Sequence, residues 1–223
     1  MTVRVICDFD GTIAEKDMIA AIMRRFVPVQ AEPIIQAVQT GEKAIRDGVE
    51  EMFRLIPSDR YDDVVEFATE NTVVRPGFPE FIHRCGQLGW KVAVVSGGFD
   101  FFVHPVIHSL STPVDIFCNR IDSSGPFLRV VWAVSCDDVC EGGCGLCKPS
   151  VMRQLKDDEA TRFIVIGDGV TDFKAAREGD YVFARARLLE LVRDQDLPAS
   201  PFDTFYDIER EIADGGSPLY ENI

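Results

Sequence analysis

Val3-Arg4-Val5-Ile6-Cys7 opens the chain with an apolar, β-branched run. That pattern predicts a strand buried on both faces. Two similar runs follow, at residues 90–95 and 162–166. Each is cut short by small or polar residues: Asp8-Phe9-Asp10-Gly11-Thr12, Ser96-Gly97-Gly98 and Gly167-Asp168-Gly169. Between the first two runs the apolar spacing becomes helical. Met18, Ile19, Ile22, Met23 and Phe26 mark one helix, and Ile34, Ile35 and Val38 a second. Ala44, Ile45, Val49, Met52, Phe53 and Ile56 mark a third, and Val64, Val65, Phe67 and Ala68 a fourth.

Further helices are expected over residues 78–88, stopped by Gly89, and over 99–110. Residues 115–119 and 127–132 read as a hairpin around Ser123-Ser124-Gly125-Pro126. A cysteine-rich loop follows, and Pro149 suits the first position of a helix. A helix from about Thr171, a short strand at 181–183 and a helix near 205–212 complete the pattern, with a loose tail after Gly215. The alternation predicts a doubly wound, Rossmann-like parallel α/β sheet. Asp10 and Ser96 are 86 residues apart, far more than a crossover needs. The reading is therefore an α/β core of residues 1–14 and 75–223, with a small helical bundle, 15–74, inserted as a cap.

Composition narrows the function. The 223 residues carry a formal charge of -14, which disfavours nucleic acid and anionic membranes as partners. An acidic chain with an anionic substrate needs a local positive spot and a metal cation. No apolar run is long enough for a bilayer, and Met1 leads directly into the first strand, so no secretory signal is expected. The seven cysteines then read as reduced thiols or metal ligands in a cytoplasmic setting. Oligomeric state is not readable.

The chemistry sits at the strand ends. Open α/β sheets bind ligands at the carboxyl ends of their strands. At period two, Asp8 and Asp10 share a side and Phe9 points into packing. The second strand end offers Ser96 with Gly97 and Gly98; the third offers Asp168 and, four residues on, Asp172. Lys148 precedes the third strand. In this order the four pieces resemble the haloacid dehalogenase-like superfamily, and the position of the insert resembles its phosphoserine phosphatase-like branch. Cys7-Asp8-Phe9-Asp10-Gly11-Thr12-Ile13, residues 48–53, Ser96-Gly97-Gly98-Phe99-Asp100-Phe101-Phe102-Val103 and Cys144-Gly145-Leu146-Cys147-Lys148-Pro149-Ser150 together look like one narrower family. That family is the methionine-salvage phosphatases of 2-hydroxy-3-keto-5-methylthiopentenyl-1-phosphate.

The resemblance implies a Mg2+-dependent phosphomonoesterase acting on a small phosphorylated metabolite. Asp8 would be the nucleophile, and Asp10 the acid that protonates the leaving oxygen and then activates water. Asp8, the backbone carbonyl of Asp10 and Asp168 would ligate Mg2+, with Asp172 behind them. Ser96, Gly97 and Gly98 would receive the phosphoryl oxygens, and Lys148 would neutralise them. Asp17 falls where relatives keep an acid on the substrate side of the cap entrance; a carboxylate at a helix start is the plainer reading. Two rivals stand: a phosphoserine or other metabolite phosphatase or phosphotransferase, and a non-catalytic, zinc-stabilised binding protein.

Cys136, Cys140, Cys144 and Cys147 are separated by three, three and two residues. Four thiolates suffice for a closed structural Zn2+ site, and the alternative is reduced thiols packing a loop. Cys7 does not head a cysteine-phosphatase loop, because Ile13 stands where its arginine belongs. His104 and His108 share a helix face at i, i+4 without an evident third ligand.

Overall fold

In the computed structural model, which describes residues 2–110, 112–140, 142–214 and 218–223, strand β1 (Thr2–Cys7) lies mid-sheet. It pairs in parallel with β2 (Lys91–Phe99) and β5 (Thr161–Gly167). Beyond β2 lie β3 (Asp115–Asp122) and the antiparallel β4 (Arg129–Val131). Beyond β5 lie β6 (Tyr181–Ala184) and β7 (Ala199–Pro201). The order β4-β3-β2-β1-β5-β6-β7 reverses direction at β1, which opens a crevice at the carboxyl ends of the central strands.

Both faces of the sheet are covered, which is why the strands read as continuous apolar runs. Val3, Val5 and Cys7 join Val94 and Ile166 on one face, against α5 (Phe78–Leu88) and α10 (Phe205–Ala213). Ile6, Ala93, Val95 and Val165 form the other face. They pack with α7 (Lys148–Leu155), α8 (Val170–Ala176) and α9 (Ala186–Asp194).

Four helices follow the first strand end: α1 (Met18–Phe26), α2 (Pro28–Gln39), α3 (Ile45–Phe53) and α4 (Tyr61–Asn71). Their buried residues continue the first hydrophobic cluster. The Phe53 ring meets Phe99 edge-on at 4.6 Å between centroids, and Tyr61 meets Phe101 at 6.0 Å. Phe101 and Phe99 flank the start of α6 (Asp100–His108). The β3–β4 turn adds backbone ties: Leu128 N donates to Ile56 O (3.0 Å) and Ser58 N to Pro126 O (3.1 Å).

The structure departs from the sequence reading at several points. β2 does not stop at Val95 but runs to Phe99, with its register against β3 shifting between those residues. α7 starts at Lys148, so Pro149 is its second residue. Helix α9 and strand β7 were not expected. The i, i+4 pair Leu188 and Val192, both buried, was a usable sign of α9, whereas a three-residue edge strand is too short to show a period. The tail is not loose from Pro218 onward: α11 (Pro218–Asn222) buries Leu219, and Tyr220 OH donates to Ile212 O at 2.5 Å. Residues 215–217 of that tail lie outside the described residues.

Candidate active site

The sheet register builds the site. Cys7 lies opposite Val94 on one side and Ile166 on the other, so Asp8 leaves the sheet one residue, and Ser96 and Asp168 two residues, beyond that shared level. Asp8 N still donates to Ile166 O (2.9 Å), which holds the residue against the neighbouring strand. Phe9 is fully buried, 5.8 Å from the Phe102 ring.

Lys148, the first residue of α7, reaches under this edge. It is 3% exposed, and its Nζ donates to Asp8 Oδ1 at 2.5 Å and to Asp172 Oδ1. Asp172, in the first turn of α8, uses its other oxygen to accept from Asp168 N (3.1 Å) and Gly169 N (3.0 Å). One carboxylate therefore orients both the lysine and the turn that carries Asp168. Oxygens of Asp8, Asp168 and Asp172 lie within 4.8 Å of one another. Asp10 Oδ1 accepts from Met18 N (2.9 Å) at the start of α1, and Ser96 Oγ lies 3.5 Å from Asp10 Oδ2. Gly98 N donates to Ser96 Oγ (2.9 Å), fixing the hydroxyl.

Two glycines make this closeness possible. A Cβ on Gly98 would stand 2.6 Å from Asp10 Oδ2 and 2.7 Å from the Phe102 ring. Gly11 adopts φ +76°, and a Cβ there would collide with the Asp168 carboxylate. Gly97, by contrast, faces open space.

The electrostatics are those of crowded carboxylates. Burial pushes Asp8 well above the usual carboxylate range; Asp172 adds to this and Lys148 opposes it. Burial and then the charge of Asp17 push Asp10 up to about 8, against the Met18 N–H. Burial and Asp172 push Asp168 up to about 6. Burial alone would lower the Lys148 ammonium, but Asp172 and Asp8 outweigh it and hold it above its ordinary value. Two of these four carboxylates, Asp8 and Asp172, share the buried Lys148 ammonium, and the negative charge left over is what a divalent cation would relieve. The donors are all hard oxygens, which suits Mg2+.

Of the other sequence candidates, Asp17 is exposed at the rim and caps α1, accepting from Ala20 N at 2.9 Å. The thiols of Cys136, Cys140, Cys144 and Cys147 converge within 4.8 Å of one another. His104 Nε2 lies 3.6 Å from Cys118 Sγ, and no metal-holding group forms there among the described residues.

Three positioning residues escaped the sequence reading. Arg75, 7% exposed, donates from Nε to Thr12 O (2.7 Å) and from Nη2 to Gly11 O (2.9 Å). Arg185 Nη1 donates to the same Gly11 O (2.7 Å). Together they clamp the turn behind the aspartate pair. Asn119, fully buried in β3, donates to Gly97 O (2.9 Å) and accepts from Ala133 N (3.0 Å). An amide directly after the apolar run Ile116-Phe117-Cys118 was a usable signal for Asn119. Arg75 had none, because its partners lie more than sixty positions away in sequence.

Comparison with known proteins places the chain in a family. The model of the haloacid dehalogenase-like hydrolase family matches residues 5–177. A 2-hydroxy-3-keto-5-methylthiopentenyl-1-phosphate phosphatase of Exiguobacterium sibiricum is 44% identical over 209 residues, covering 93% of this chain and 95% of the relative. One from Bacillus cereus is 41% identical over 212 residues, covering 95% and 96%. Among solved structures, a phospho-aspartyl intermediate analogue of phosphoserine phosphatase superposes with a TM-score of 0.70 at 19% identity, covering 94% of this chain and 98% of that one. The chain belongs to the haloacid dehalogenase-like hydrolase family, as an enzyme acting on phosphoric monoesters.

Proposed function

We propose that the chain dephosphorylates 2-hydroxy-3-keto-5-methylthiopentenyl-1-phosphate, a small metabolite of methionine salvage, through an aspartyl-phosphate on Asp8. The observation that carries the mechanism is the buried Lys148 ammonium shared by Asp8 and Asp172 beside Asp168. It supplies positive charge where a phosphoryl group would meet an anionic nucleophile. Two relatives named for this phosphatase, aligned over more than nine-tenths of the chain, support the substrate.

Asp8, Asp168 and the backbone carbonyl of Asp10 would hold Mg2+, with Asp172 behind them. When bound, the cation offsets carboxylate charge and polarises a phosphoryl oxygen. An Asp8 oxygen attacks phosphorus as the bond to the ester oxygen breaks. Asp10 gives its proton to that departing oxygen. Water then attacks the same phosphorus, Asp10 takes a proton from it, and the bond to Asp8 breaks. Inorganic phosphate leaves, and both carboxyl groups are restored. Ser96 Oγ–H and Gly97 N–H donate to non-bridging oxygens, while Gly98 leaves them room and Lys148 neutralises their charge. Segment 15–74 acts as the cap that excludes water and selects the leaving group, with Asp17 on its substrate side. A structural Zn2+ in the cysteine loop is the second cation of this reading and takes no part in the chemistry. Seven free cysteines, four of them buried, support a reducing, cytoplasmic setting.

The test is phosphate release from a panel containing the enol-phosphate, phosphoserine, sugar phosphates and an aryl phosphate, with and without Mg2+. The expected result is a kcat/KM for the enol-phosphate at least tenfold above the others, lost on chelation and in Asp8→Asn. A preference for phosphoserine would overturn the substrate; turnover by Asp8→Asn at the wild-type rate would overturn the mechanism.

A further inference from the structure

The loop of Cys136, Cys140, Cys144 and Cys147 has almost no apolar core. It carries no helix or strand among its described residues, Val139 is 73% exposed, and Leu146 is its one buried aliphatic residue besides the cysteines. Three of the four thiols are only half-buried, so they do not behave as core packing. Gly142 (φ +91°), Gly143 (φ +78°) and Gly145 (φ +35°) turn the backbone through left-handed conformations. The four sulfurs converge within 4.8 Å, with Cys140 and Cys144 at 3.5 Å. A tetrahedral zinc with Zn–S bonds of about 2.3 Å places its sulfurs about 3.8 Å apart. The cage is near that size. An iron–sulfur cluster would need its thiolates splayed around several metal atoms.

A second observation concerns charge. Four thiolates around a dication leave an excess of negative charge. Lys174 Nζ, from α8, stands 3.5 Å from Cys144 Sγ and 3.8 Å from Cys140 Sγ, and donates to Gly142 O at 3.1 Å. A lysine turned onto the thiols and a loop carbonyl offsets part of that charge.

The loop also touches both halves of the molecule. On the core side, Cys147 immediately precedes Lys148, and its carbonyl accepts the Val151 amide (3.1 Å) in the first turn of α7. Asp137 ties the other end of the loop to the same helix through Arg153 and through Ser150 Oγ. On the cap side, Gly143 O accepts from Arg46 N (3.4 Å) in α3. The Arg46 guanidinium lies 5.1 Å over the Trp132 ring, and Trp132 Nε1 donates to Glu50 of the same helix (3.4 Å).

We infer that Cys136, Cys140, Cys144 and Cys147 hold one Zn2+, and that this cage is the joint through which cap helix α3 rests on the helix carrying Lys148. The inference rests on the zinc half of the proposed function and extends it to a mechanical role. Four protein ligands close the coordination sphere, so the ion is structural. Its binding supplies the free energy that orders a loop without a core of its own.

The test uses the full chain, purified without chelator from zinc-containing medium. Metal analysis is expected to give one zinc per chain. The Co2+-exchanged protein is expected to show thiolate charge-transfer and tetrahedral d–d absorption, both lost in Cys144→Ser. On stripping the metal, hydrogen exchange is expected to quicken at least tenfold at the Arg46 amide and in the first turn of α7, while β1 and α5 stay protected. Metal-free protein whose four loop thiols react freely with a thiol reagent would overturn both parts, and iron in place of zinc would overturn the assignment of the ion. Zinc present but exchange in α3 and α7 unchanged on its removal would overturn the joint; so would exchange spread evenly into β1 and α5. None of these readouts uses phosphate release, so the fate of the phosphatase reading leaves them untouched.

Discussion

At the scale of single residues, the site depends on groups whose charge or reach has no substitute. Lys148 is the clearest. Its removal takes away the positive charge beside Asp8 and leaves Asp8 and Asp172 buried without their partner. Lys148→Met is expected to lower kcat by at least about a hundredfold. Urea unfolding at neutral pH should also show a loss of about 3 kcal/mol, the usual cost of breaking a buried pair. Arg75 acts at one remove. It donates to two carbonyls of the turn after Asp10, with Arg185 sharing one of them. Arg75→Leu strands Thr12 O and should cost about 2 kcal/mol in the same denaturation assay. If the clamp positions the aspartates, kcat should fall while KM stays within about twofold; a change in KM alone would show that Arg75 contributes to binding instead.

At the scale of elements, the ends of β1 and β5 were legible, whereas the end of β2, helix α9 and the short pieces β7 and α11 were not. A buried parallel strand announces itself by an apolar run and stops where glycine or a carboxylate interrupts it, as at Cys7 and Gly167. Ser96-Gly97-Gly98 misled, because a polar-to-glycine sequence reads as a stop while the ladder to β3 resumes at Phe99. α11 was missed because five residues hold too little period to detect. Its place is decided by packing: Leu219 is fully buried, and Tyr220 OH donates to the carbonyl of Ile212 in α10. Deleting residues 218–223 should therefore destabilise the protein by about 2 kcal/mol, the worth of one buried leucine, and lower its melting temperature by a few degrees. An unchanged melting temperature would show that α11 contributes nothing to the fold.

At the scale of the whole molecule, the inserted helices and the sheet face share one hydrophobic cluster, with Phe53 on Phe99 at their seam. Phe53→Ala should cost about 3–4 kcal/mol, since it leaves a large cavity against that ring. Wild type should unfold in urea as a single transition by fluorescence and circular dichroism. Two separated transitions would mean that segment 15–74 is a unit of its own stability. The amino-acid sequence by itself determined the α/β alternation, the helical insert and the set of strand-end groups, because periodicity and glycine punctuation are local properties of the chain. Only the tertiary structure decided the rest. The Cys7, Val94 and Ile166 register sets the aspartates beside Ser96, Arg75 and Asn119 support the loops from afar, and the cysteine loop lies against α3. Those are pairings between distant segments, fixed when apolar faces close on one another, and nothing in the neighbouring residues of either partner encodes them.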